Sequence, residues 1–181
     1  TERFVFQDHR NTEGYRWGYG KLRMKDTLFL REHQEHMPYF QGVFIDIFPL
    51  DNVPDNYYIR CLHNFSCFCI RKTLWSEVGK YADKSVLKRM VYSFLSRIPL
   101  EEVFGIYEKL VSLSNIKKTR MVRILTFPAP NDQYGYLRKW YEKSADYVFE
   151  GETFKGIKDY DNYLSFKFGD YMELPPEEKR K

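Results

Sequence analysis

Gly42-Val43-Phe44-Ile45-Asp46-Ile47-Phe48-Pro49-Leu50-Asp51 is the stretch around which the rest of the chain is organised. From Val43 to Pro49 the only charge is Asp46, set among β-branched and aromatic residues, and such a run predicts a buried strand. Strand alternation puts Val43, Ile45 and Ile47 on one face and Phe44, Asp46 and Phe48 on the other. A carboxylate between two Phe side chains is costly to desolvate unless a cation, a metal or a hydrogen-bond donor meets it. Asp46 is therefore a satisfied structural carboxylate or a metal ligand, and the stretch alone leaves both open.

Upstream, Gly14 to Met24 invites comparison with a phosphate-binding loop. The glycine spacing is wrong, however, and Leu22 stands where Ser or Thr must follow the lysine. The better reading is a strand over Tyr19 to Met24 with Leu22 and Met24 inward. Lys21 and Arg23 then point the same way, so both can engage one phosphate group. Phe4 and Phe6 suggest an earlier strand, and Leu28 to Leu30 a short one. Arg31 to Tyr39, with His33 and His36, reads as a solvated connection.

Downstream, Asp51 to Asp55 is a turn, with Asp55 the candidate helix cap. Asn56 to Val78 is helical, its apolar side formed by Ile59, Leu62, Phe65 or Ser66, Cys69, Leu74 and Trp75. Ser85 to Ser96 is a second helix burying Val86, Met90, Val91, Phe94 and Leu95. Leu100 to Ser114 is a third, burying Val103, Phe104, Tyr107, Leu110 and Val111. The basic run Lys117 to Arg123 reads as a solvated turn, with contact to an anionic acceptor or membrane surface as the alternative. A short strand over Met121 to Phe127 and a helical stretch at Leu137 to Lys143 follow. A hairpin about Glu150-Gly151 comes next, and then a short helix opening at Asp159 or Asp161 and ending at Gly169.

The 181 residues suffice for one hydrophobic core, and an aromatic share of 18% excludes a disordered chain. A formal charge of +4 is too small to argue for nucleic acid, yet it is compatible with an anionic ligand. Cys61, Cys67 and Cys69 are odd in number and lack zinc spacing, which predicts buried free thiols in a reducing compartment. No apolar run has the roughly 18 residues that a membrane span needs.

Three blocks together resemble the LicD family and the related fukutin-type phosphotransferases. They are Lys21-Leu22-Arg23 with Thr27, the Gly42–Asp51 stretch, and a closing set. That set comprises Phe149-Glu150-Gly151, Tyr160-Asp161-Asn162-Tyr163-Leu164 and Phe168-Gly169-Asp170-Tyr171-Met172 with Pro175-Pro176. The resemblance covers about 155 residues. It implies an α+β, nucleotidyltransferase-like fold: a mixed β-sheet with a helical middle and C-terminal portion, in one domain over residues 1–181. It also implies transfer of a phospho-alcohol, phosphocholine foremost, from CDP-choline or a related CDP-alcohol donor. The acceptor would be a cell-surface glycan such as lipopolysaccharide, teichoic acid or a capsule precursor.

On that resemblance Asp46 would be catalytic and a ligand to Mg²⁺ or Mn²⁺, while Lys21 and Arg23 would hold the donor phosphates. Asp51, Asp161, Asp170 and Tyr171 would support the site. The family's Gly-rich segment and aspartate cluster have no counterpart here; they are expected upstream of Thr1, so the chain shown would carry only part of an active site. No nucleic-acid partner is expected. The expected location is cytoplasmic, at the inner face of the membrane if the protein associates with it peripherally. The alternative is a non-catalytic nucleotide- or glycan-binding scaffold on the same fold.

Overall fold

The computed structural model describes residues 2–174 and 176–180, so Thr1, Pro175 and Lys181 lie outside the described residues. Three small antiparallel sheets surround a helical middle. The first sheet joins β1 (Phe4–Gln7), β2 (Gly20–Met24) and β3 (Phe44–Ile47) in that order; the second joins β4 (Asp51–Val53), β5 (Met121–Arg123) and β6 (Tyr136–Leu137). The third is the hairpin of β7 (Ser144–Phe149) and β8 (Glu152–Ile157). The helices are α1 (Tyr57–Ala82), α2 (Val86–Leu95), α3 (Leu100–Ser114) and α4 (Tyr160–Phe168). The chain is thus α+β with a helical middle, as expected. The described strands, however, form separate antiparallel sheets where one mixed sheet was expected.

Local signals set most element ends. The side chain of Asn56, rather than that of Asp55, caps α1 by accepting from the amides of Tyr58 and Ile59. Asp55 instead accepts from the Arg120 amide at 3.2 Å. Pro99 opens α3, and Gly169, at φ 72°, closes α4. Glu150 and Gly151 turn β7 into β8 with φ of 52° and 82°, the paired positive values of a two-residue hairpin turn. Leu28 to Leu30 is irregular rather than a strand, and Leu137 to Lys143 shortens to a 3₁₀ turn over Arg138–Tyr141. Asp51 to Val53 is a fully buried strand where a turn was expected.

The core runs between α1 and α3. Cys67, Ile70 and Leu74 meet Val103, Phe104, Tyr107 and Leu125, while Val78 packs with Tyr15, Met37 and Tyr39. The face of α3 is the expected one. That of α1 matches only in part, at Leu74: His63, Cys67 and Ile70 are buried beside it, whereas Ile59, Leu62, Phe65 and Cys69 are exposed. The helix is apolar on more than one side, so its periodicity has no single answer. In α2 most of the expected face is turned outward: Tyr92 is buried and Leu95 half-buried, while Val86, Met90, Val91 and Phe94 are exposed. All three cysteines are free, but only Cys67 is buried.

The first sheet is turned over as well. Lys21 and Arg23 are buried, Leu22 and Met24 are only partly covered, and β3 is an edge strand with Ile45 and Ile47 exposed. The sheet puts its charged face against the aromatic rings of Tyr15, Tyr19, Tyr39 and Phe44. Its apolar face, with Phe4, Phe6, Ile45 and Ile47, looks outward.

Candidate functional site

Antiparallel pairing sets Lys21 directly opposite Asp46 and Arg23 opposite Phe44. Cross-strand partners point to the same side, so the three charged side chains converge. Lys21 Nζ donates to Asp46 Oδ1 and lies 3.4 Å from the centroid of the Phe44 ring. Arg23 donates from Nη1 to the Gly42 carbonyl at 3.0 Å and sits over the Phe44 and Tyr39 rings. The cation that the Asp46 carboxylate requires is therefore Lys21. Burial brings the Lys21 ammonium down to about 8 even beside Asp46, because desolvation outweighs the partner charge.

These two cations are not at the surface. Lys21 is 2% and Arg23 3% exposed, and Asp46 keeps about a quarter of its side chain in solvent. The cations open to a ligand lie next door and were not singled out by the sequence reading. A cleft of about 410 Å³ is lined by Arg16, Trp17, Tyr19, Arg31, Arg71, Lys72, Trp75, Thr126 and Phe127, among others. Trp17 and Trp75 pack at a tilt of 50° with ring centroids 6.0 Å apart, and Tyr19 and Phe127 at 59° and 5.4 Å. Arg16 is anchored behind them by the carbonyls of Leu74 and Thr73 at 3.0 and 3.1 Å. Thr126 Oγ1 is buried without a hydrogen-bond partner among the described residues.

Arg31 joins the cleft to the charged sheet. It lines the cleft together with Tyr19, and its guanidinium stands 4.7 Å from the Phe44 ring centroid, on the ring that Lys21 also touches. A continuous path of cations and rings therefore runs from Arg71 and Lys72 through Arg31 to Lys21. Flat aromatic walls accept a planar base, and guanidinium groups match phosphate oxygens in pairs. The lining of this cleft carries Arg16, Arg31, Arg71 and Lys72 and, among the described residues, no carboxylate, a charge balance that favours an anion. The sequence signal was Arg16-Trp17 beside Arg71-Lys72 and Trp75, but only the approach of α1 to residues 16–19 brings those segments together.

The supporting residues fall elsewhere. Asp51 is buried, accepts from Asn115 Nδ2 at 2.7 Å, and lines a second cleft with His9, Tyr107 and Glu108. Burial raises its carboxyl above the usual range. Its Oδ2 has no partner among the described residues. Asp161 accepts from the Tyr171 hydroxyl at 2.8 Å, which holds that phenol up at about 12, and Asp170 caps the Met172 amide. These contacts tie α4 to the segment that follows it. Among the described residues no three His, Cys, Asp or Glu side chains come together. Asp46 is paired with Lys21, and Mg²⁺ or Mn²⁺ at this carboxylate belongs to what the resemblance implies. Among the described residues no helix is long and apolar enough to cross a membrane. No family model, curated protein or solved structure matches the chain.

Proposed function

We propose that the chain binds a CDP-activated alcohol, with phosphocholine as its first cargo, and transfers the phospho-alcohol to a cell-surface glycan. Lipopolysaccharide, teichoic acid and capsule precursors are the acceptors in view. The observation that carries this reading is the cleft in which Trp17, Trp75 and Phe127 stand among Arg31, Arg71 and Lys72. Its rings suit a pyrimidine and its cations a diphosphate. In this reading Arg31, Arg71 and Lys72 hold the phosphates, while the buried Lys21 and Arg23 fix Phe44 and Asp46 behind them. Lys21 and Arg23 thereby become positioning residues.

In such a transfer the acceptor hydroxyl oxygen bonds to the phosphorus of the phospho-alcohol. The bond from that phosphorus to the bridging oxygen breaks, and CMP leaves with the electron pair. Cations around the diphosphate offset the charge that grows on the departing oxygen. On the resemblance the hydroxyl proton would pass to Asp46, which stands behind the cleft paired with Lys21 and keeps about a quarter of its side chain in solvent.

A second reading, a nucleotide- or glycan-binding scaffold without turnover, is favoured by the Lys21–Asp46 pair, which gives the carboxylate a structural role as counter-charge to a buried lysine. Calorimetric titration with CDP-choline and CDP-ribitol, with and without Mg²⁺ or Mn²⁺, tests the donor; release of CMP in the presence of glycan acceptor tests turnover. Binding with CMP release supports the transferase, and binding without release supports the scaffold. Failure of both donors to bind removes the donor class.

A further inference from the structure

Helix α2 carries an apolar arc that none of the described residues covers. Val86, Leu87, Met90, Val91 and Phe94 recur at helical spacing and are 66, 71, 65, 51 and 67% exposed. The opposite side of the helix is fixed to α1. Tyr92, the one buried residue of α2, accepts a hydrogen bond from Lys72 at 3.1 Å, and its ring rests on Gly79, where an added Cβ would come within 2.7 Å. The arc therefore points directly away from the body of the protein. Helical geometry sets Lys88 beyond one edge of the arc and Arg89 beyond the other. Lys84 and Arg97 flank the two ends, and residues 84–100 contain no Asp or Glu.

We infer that α2 is a docking surface for an anionic phospholipid bilayer, with its apolar arc in the headgroup–acyl boundary and its flanking cations on lipid phosphates. An apolar face bordered on both sides by Lys and Arg is the pattern of a helix that lies in the membrane interface. Long basic side chains at the borders reach the headgroups while their stems stay in contact with the apolar layer. Charge argues against a second copy laid along the arc: α2 itself carries Lys88 and Arg89 and no carboxylate, so two such helices would set cations against cations. The inference is carried by α2 itself and owes nothing to the donor assignment.

Co-sedimentation of the full chain with vesicles tests it, in the absence of nucleotide and acceptor. Phosphatidylcholine vesicles are compared with vesicles in which phosphatidylglycerol replaces part of the phosphatidylcholine. Binding to the anionic vesicles is expected to be stronger by about tenfold or more, and to weaken as salt is raised. The double variant Leu87→Asp/Phe94→Asp should lose at least about tenfold in that binding, and Lys88→Ala/Arg89→Ala about tenfold. Both pairs are exposed, so thermal midpoints should stay close to that of the unsubstituted protein, and loss of binding then reports the surface. Absence of binding to anionic vesicles overturns the inference, as does wild-type binding by Leu87→Asp/Phe94→Asp. A dimer in sedimentation equilibrium that the same variant converts to monomer would assign the face to a second copy instead, and overturns it too.

Discussion

Helices α2 and α3 follow one another in the chain, and both carry a clear apolar stripe, yet they use it in opposite ways. In α3 the stripe of Val103, Phe104 and Tyr107 enters the core against α1. In α2 the stripe of Val86, Met90 and Phe94 faces solvent, and a tyrosine makes the internal contact. An amphipathic pattern states that a helix has two sides; it does not state which side the rest of the protein will take. The first sheet repeats the lesson, since its charged face is the inner one.

The largest effect that could break this contrast comes from matched truncations. Phe104→Ala should cost about 3–5 kcal/mol, because its ring is buried and stacked on His9 at 4.1 Å. Phe94→Ala should change stability by less than about 0.5 kcal/mol. Urea unfolding of both variants checks the pair, and similar losses would show that α2 is packed after all.

Next in size is the buried pair of the sheet. Asp46→Asn leaves Lys21 buried without its counter-charge and should cost about 3 kcal/mol. Glu142→Gln, at the exposed Lys118–Glu142 pair, should leave the unfolding midpoint unchanged within error. A small loss at Asp46 would mean that Lys21 reaches solvent.

The dependence on pH sharpens the same distinction between buried and exposed groups. His63, buried against Ser114, is held down to about 4 by desolvation, so it stays neutral in the folded protein while the unfolded chain takes up a proton near 6.5. The unfolded state then binds more protons, and stability falls as pH drops from about 6.5 to about 4. Lys21 acts in the alkaline range with the same sign. The folded ammonium is lost near 8 and the unfolded one near 10.5, so its contribution to stability rises with pH between those values. His63→Gln should flatten the acid limb of a stability–pH curve measured by urea unfolding.

The smallest effects on stability are expected on the third side of α1, where it lines the cleft. Arg71→Ala should weaken CDP-choline binding about tenfold, the usual scale for one charge-assisted hydrogen bond, with little change in thermal midpoint. Calorimetry checks it, and unchanged affinity would move the donor away from this cleft.

Much of the site was legible in residues that lie close in sequence. The shared direction of Lys21 and Arg23 follows from strand alternation, and so does the placing of Asp46 with Phe44. Their burial was not legible, because a two-residue period fits either orientation of the sheet. The cleft cations Arg31, Arg71 and Lys72 were missed for a different reason: they come from separate segments, and no spacing rule links a loop before β3 to the middle of α1. Asp51 was read as the start of a turn, since Asn52 and Pro54 are turn residues; pairing with Arg123 across β4 and β5 makes it a strand residue instead.

The sequence by itself determined where the helices lie, the hairpin at Glu150-Gly151, the stops at Pro99 and Gly169, and the α+β class. Those features depend on caps, turn conformations and periodicity, which act over a few residues. Only the tertiary structure decided which face each element buries. That choice depends on contacts between segments far apart in the chain, which local signals do not encode. Lys21 is inside because Asp46 and the ring of Phe44 meet it there. The arc of α2 is outside because Tyr92 on Gly79 had already taken the other side.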